Sequence, residues 1–171
     1  MTKALLVIDL QNDYFPGGSF PLWRTDETLR AIEAAIAAAR GAGVPVIHIQ
    51  HIADPSQGIA PFFNAGTKGA EIHERILAAA PDAPIITKSF ADGFERTALA
   101  SMLGDLGVTE LLLCGMMTQN CVTHTAISKS AERFDVAILT DCCTTVDEMI
   151  HLIALHAVST RVKIIPWAEA L

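Results

Sequence analysis

Residues 109–126, TELLLCGMMTQNCVTHTA, decide the fold. Leu111, Leu112, Leu113 and Cys114 run without a polar break into Gly115, five mixed residues follow, and Cys121 arrives where a helix could begin. A short, continuously apolar run closed by glycine is a strand covered on both faces, as in a parallel sheet. Working outward, the same kind of run recurs at 4–8 (ALLVI), 44–50 (VPVIHIQ), 84–87 (PIIT), 135–139 (DVAIL) and 162–165 (VKII), beside 110–114 (ELLLC) itself. Helical periods lie between them. In 26–40, Leu29, Ile32, Ile36 and Ala39 share a stripe that Gly41 and Gly43 end. Weaker helices fit 69–79, 95–104, 121–132 and 147–160, the last with Ile150, Ile153 and Ala157 on one face. Strand and helix alternate without a composition break or repeat. The pattern predicts one three-layer α/β/α domain over residues 1–171, with a six-stranded, mainly parallel sheet and right-handed crossovers.

Bulk composition agrees with a packed domain. Half of the 171 residues are hydrophobic (51%) and only 6% aromatic, so aliphatic side chains build the core. The net charge of −7 comes without a basic cluster, which argues against nucleic acid as a partner. No apolar stretch approaches the ~18 residues of a membrane span, and the N-terminal run stops at Asp9, short of a signal segment. The expectation is a cytoplasmic protein. Cys114, Cys121, Cys142 and Cys143 show no disulfide-framework spacing and read as free thiols.

In an open α/β sheet, ligands bind beyond the carboxyl ends of the strands. Asp9 ends the first run, Lys88 the third, and the Gly115 turn presents Cys121. Each has an ordinary reading alone: a turn cap, a surface charge, a packed thiol. Together an acid, an amine and a thiol on one edge are the parts of acyl transfer. A thiol must lose its proton to attack; a helix N-terminus and a nearby cation lower its pKa, a carboxylate can shuttle the proton, and backbone N–H groups can hold an oxyanion. Two loops, 10–25 and 51–68, are longer than a bare scaffold needs and carry Tyr14, Phe15, Phe20, Trp23, Phe62 and Phe63. Such side chains form pocket walls or a cluster that pins the loop.

Three blocks, ALLVIDLQNDYF (4–15), ITKSFADGFERTAL (86–99) and LCGMMTQNCVTHTA (113–126), with ILTDCCTT (138–145), resemble the isochorismatase-like cysteine hydrolases, relatives of nicotinamidases and N-carbamoylsarcosine amidohydrolases. The resemblance covers essentially the whole chain. It implies a catalytic triad of Asp9, Lys88 and Cys121. It implies a cis peptide at Met116–Met117 and an oxyanion hole from the N–H groups of Met117 and Cys121. It also implies a homo-oligomer acting on a small molecule. Gln11, Phe15, Met116 and Phe62 are the expected substrate contacts, with bracing of the loop as the other role for Gln11.

One departure bears on the reaction. Nicotinamidases hold a metal with an Asp-x-His motif after the second strand; here His51 and Ala53 stand at those places. His51, Asp54 and His73 could be assembled as a ligand set, but their spacing matches no metal motif. The expectation is a hydrolase without metal or other cofactor, cleaving a C–N bond of a small amide, ureide or imide-like substrate through a thioester. A non-catalytic binding protein on the same fold and a metal-dependent nicotinamidase are the alternatives. His48 reads as a hydrogen-bonded core residue, His124 as a helix-surface residue, Asp141 as a cap, and Cys142–Cys143 as structural.

Overall fold

The computed structural model describes residues 2–171. Six strands form the sheet: β1 (Lys3–Ile8), β2 (Val46–His51), β3 (Ile85–Lys88), β4 (Glu110–Met116), β5 (Asp135–Thr144) and β6 (Lys163–Ile165). Their order is β3-β2-β1-β4-β5-β6, and every pairing is parallel. Side chains of a strand alternate between faces. Leu5, Val7, Leu112, Cys114, Ala137 and Leu139 therefore join one buried cluster, with α1 (Thr25–Gly41), α2 (Glu74–Ala79) and α6 (Trp167–Ala170). Ala4, Leu6, Ile8, Leu111, Leu113, Val136 and Ile138 join the other, with α3 (Leu99–Asp105), α4 (Thr123–Ala126) and α5 (Glu148–Val158). Both faces of the sheet are covered, which is why its strands read as continuous apolar runs rather than alternating ones.

Chain order reverses between β1 and β4, so the crevice of this sheet opens at their carboxyl ends. Gly115 makes that junction possible. It sits in register opposite Ile8 with φ +129°, and a Cβ there would lie 2.0 Å from the Ile8 carbonyl oxygen. Only glycine lets the two strand ends come this close.

Three helices differ from expectation. The 69–79 segment is a 3-10 turn, Lys68–Ala70, followed by the six-residue α2. The 121–132 segment is not one helix: a π-helical turn, Thr118–Val122, leads into the four-residue α4, and a 3-10 turn follows at Lys129–Ala131. In α5 the buried residues are His151, Ala154, Leu155 and Val158, while Ile153 is 60% exposed alongside Met149 and Leu152. Apolar residues occur all round this helix, so periodicity alone could not choose the inward face. β5 also runs on to Thr144 through a register irregularity against β4 at Leu113/Gly115. Cys142 and Cys143 lie in that extension as buried free thiols, and Asp141 caps the last helix by accepting from Trp167 N.

Candidate active site

Asp9 follows β1 directly, with φ +54°, a left-handed turn that lifts the chain off the strand. Lys88 is the last residue of β3, two strands away at the sheet edge. Its stem crosses the end of β2, where His51 is its register partner. Cys121 comes from the π-helical turn beyond β4. The three meet. Lys88 Nζ donates to Asp9 Oδ2 at 2.9 Å and to Cys121 Sγ at 3.3 Å. Asp9 is fully buried, and Lys88 and Cys121 are each 2% exposed. Asp9 Oδ1 is buried without a hydrogen-bond partner.

A fourth group completes the cluster. Lys88 Nζ also lies 2.9 Å from His51 Nδ1. Asp9, His51 and Cys121 each bring a donor atom within 4.8 Å of the others, and the ammonium bonds to all three. This bears on the metal that nicotinamidases hold. Asp54 and His73, the other members of the conceivable ligand set, are engaged elsewhere: Asp54 accepts from Ser56 N, and His73 Nδ1 accepts from Arg75 N at the start of α2. Among the described residues the one convergent set is already bonded to a cation, so these residues do not fit a metal. A divalent ion placed there would face an ammonium at bonding distance.

Opposing influences act on the thiol. Burial pushes the Cys121 thiol up, Asp9 adds to that, and Lys88 pulls the other way without winning. The four-residue α4 supplies little dipole. Lys88 is the reverse case: burial works against its charge, but Asp9 and Cys121 hold its pKa above the ordinary lysine range. Burial, then Asp9 and Cys121, also push Tyr14 up, so the phenol behind the site stays neutral.

The expected substrate contacts fare differently. Gln11 is a correction. Its amide donates to His51 O (2.7 Å) and Ala70 O (2.8 Å) and accepts from His51 N (2.8 Å), leaving it fully buried. It extends β1 in side-chain form, pairing the backbone of β2 where β1 has ended, and so braces rather than binds. Met116 is fully buried in the hydrophobic core, and Phe15, packed on His73 (ring centroids 4.4 Å apart), lines a separate cavity with Asn12, Lys68 and His73 rather than the one beside Lys88. Phe62 is half-buried and stacks with Tyr14, Phe20 and Phe63, which joins the two long loops in one aromatic wall. Asp13 clasps those loops, accepting from Phe63 N (2.8 Å) and Ser19 N (3.1 Å). A Cβ on Gly69 would lie 2.1 Å from its carboxylate, so a larger residue there would displace the Asp13 side chain. The Met116–Met117 peptide is cis. Met117 N–H donates to no acceptor among the described residues, while Met117 O takes Asn120 N and Val122 N and closes the turn. A cavity beside Lys88 is lined by Asp54, Thr87, Phe90 and Arg96 among others.

His51 is the member that sequence reasoning weighed only as a metal ligand. Its signal was register: it ends the second strand as Lys88 ends the third. His48 stays in the core on Ala80 O (3.1 Å), and His124 bonds Asn120 O (2.8 Å) at the surface.

An open parallel sheet with a buried thiol, ammonium and carboxylate at its switch point defines a hydrolase-type α/β protein. The chain belongs to the isochorismatase family: the family model for the isochorismatase domain matches residues 3–169, and the chain is a hydrolase of that family. It is 37% identical over 145 residues to the isochorismatase family protein YddQ of Bacillus subtilis, covering 85% of this chain and 79% of that one. It is 33% identical to a streptothricin hydrolase of Streptomyces noursei (85% of this chain, but only 55% of that protein) and 28% identical to maleamate amidohydrolase of Pseudomonas putida (81% and 70%). A solved structure of an isochorismatase family protein from Desulfovibrio vulgaris superposes with a TM-score of 0.89 at 27% identity, covering 99% of this chain and 96% of that one.

Proposed function

We propose that the protein is a cysteine amidohydrolase acting on a small amide, ureide or imide-like C–N bond through a thioester on Cys121. The observation that carries this reading is the single ammonium bonded to both a carboxylate and a thiol in a buried site. Relatives named as a streptothricin hydrolase and a maleamate amidohydrolase support the reaction class.

A thiolate formed by proton loss to water would leave an extra negative charge buried. Transfer from Cys121 Sγ to Asp9 instead keeps the cluster's net charge constant: Lys⁺/Asp⁻/SH becomes Lys⁺/AspH/S⁻. Asp9 Oδ1, unpartnered, is the free acceptor for that proton. Sulfur then attacks the carbonyl carbon, and the displaced electron pair goes to oxygen, held by the N–H groups of Met117 and Cys121. Asp9 returns the proton to the departing nitrogen as the C–N bond breaks and ammonia or an amine leaves. Water then gives a proton to Asp9 and attacks the thioester, and the sulfur leaves with that proton. Phe62 forms a wall of the substrate site. A homo-oligomer is part of the same reading, with the exposed Met149, Leu152 and Ile153 face of α5 as its contact; light scattering after size exclusion tests it.

The test is ammonia release across a panel of small amides and ureides, with Cys121→Ala as control and mass spectrometry of the acyl adduct on the Cys121 peptide. Turnover that survives in Cys121→Ala would sink the reading. Turnover with nicotinamide that requires added divalent metal would favour the nicotinamidase alternative.

A further inference from the structure

An ammonium has three N–H donors and no acceptor. Lys88 has three partners: Asp9 Oδ2, Cys121 Sγ and His51 Nδ1. Since Lys88 is the cation, His51 is the acceptor, which places a lone pair on Nδ1 and the ring proton on Nε2. The ring's own position is held from behind. Gln11 pairs both backbone groups of His51, and the ring packs against Phe63 with centroids 5.9 Å apart.

We propose that His51 is a positioning residue of the reaction: its Nδ1 takes the third N–H of Lys88, seats the ammonium between carboxylate and thiol, and releases that seat when the ring gains a proton. This rests on the cysteine-hydrolase reading above and adds to it a control of the cation. With only two partners the ammonium can swing about its stem, and its orphaned N–H sits in a buried site. A protonated ring is worse than an absent one, because Nδ1–H then points at an ammonium at 2.9 Å. The charged and titratable groups facing the ring are Lys88 from β3, Asp9 from the end of β1 and Cys121 from the π-helical turn. Burial, then Lys88, hold the ring's pKa below the ordinary histidine value, while Asp9 opposes them. The seat is therefore intact at neutral pH and fails on the acid side.

The test needs no natural substrate. Iodoacetamide alkylates Cys121: the S–C bond forms, iodide leaves, and the thiol proton passes to Asp9. The rate is read by mass spectrometry of the Cys121 peptide, with folding checked by circular dichroism. His51→Leu removes the acceptor and is expected to slow alkylation by about one to two powers of ten, the weight of an orphaned buried donor. His51→Asn keeps an acceptor oxygen near Nδ1 and restores most of the rate. Between about pH 5 and pH 8, where an imidazole titrates, the wild-type rate falls on the acid side and the His51→Asn rate does not. Wild-type rates in His51→Leu, or an unchanged acid limb in His51→Asn, would overturn the proposal. A wild-type rate no faster than that of Lys88→Met would overturn the cysteine-nucleophile reading beneath it, and the two failures are thereby told apart.

Discussion

Replacing Lys88 with Met tests the cluster most directly. Methionine fills much of the stem's volume and removes the charge. Three contacts go with it, to Asp9, His51 and Cys121. Both side chains of the Lys88–Asp9 pair are 0% exposed, so solvent screening does not soften the loss. Breaking such a pair leaves an uncompensated buried carboxylate and costs about 3–5 kcal/mol. For a chain of this size each kcal/mol moves the melting temperature by about 2–4 °C, which gives a fall of about 6–20 °C. Adding Asp9→Asn removes the stranded charge, so the double variant is expected to be more stable than Lys88→Met alone, with a coupling energy near the upper end of the ~0.5–3 kcal/mol range for contacting residues. Thermal and urea unfolding of the four proteins at neutral pH supply the cycle. A Lys88→Met loss under about 1 kcal/mol, the scale of an exposed pair, or strict additivity in the cycle, would refute the buried, coupled arrangement.

Further outcomes follow from other parts of the structure. Near neutral pH the ultraviolet difference spectrum between wild type and Cys121→Ala should lack a thiolate band, because burial and Asp9 push the thiol pKa up; a full band would contradict that shift. Gly115→Ala forces a Cβ against the Ile8 carbonyl and should cost at least about 3 kcal/mol in urea unfolding; a near wild-type curve would mean β1 and β4 are not this close. Gln11→Ala strands the N–H and C=O of His51 and should destabilise by about 1–3 kcal/mol, read as a lower melting temperature. Burial pushes the Asp13 carboxyl up, but the N–H groups of Phe63 and Ser19 outweigh it and hold its pKa below the usual range. A depressed acid stabilises above its unfolded pKa, about 3.9, and loses that contribution as pH falls through the folded value. The stability gap between wild type and Asp13→Asn should therefore be widest at neutral pH and close under strong acid; a gap that persists there would refute the linkage.

The six strands were legible because both faces of the sheet are buried and its strands are uniformly apolar. The first helix, expected at 26–40, is found at Thr25–Gly41. Strand order was not legible, since parallel neighbours are distant in sequence and no local signal records who pairs with whom. That is why Lys88, on an edge strand two places from β1, had no derivable path to Asp9. The broken 121–132 segment has a local cause. Thr123 Oγ1 and Thr125 Oγ1 bond back to the carbonyls of Asn120 (3.4 Å) and Cys121 (2.7 Å), and Ser128 caps a new turn. Side chains that compete for backbone partners favour short helical pieces over a continuous helix. Gln11 was misjudged as a ligand contact because nothing before folding tells that its amide stands in for a missing strand. His51 was weighed against metal motifs, when its chemistry depends on a lysine 37 residues away.

The ammonium at the centre of the cluster arrives on a covalent stem. A positive charge delivered this way is present once per polypeptide from synthesis onward. It is not taken from the medium, not exchanged for a wrong ion and not stripped by a chelator. It can be lost only by giving up its proton or by acylation of the amine, and the packed ends of β1 and β2 stand in the way of both. The vulnerability of such a centre lies in the acid–base state of the few groups that hold one amine in place.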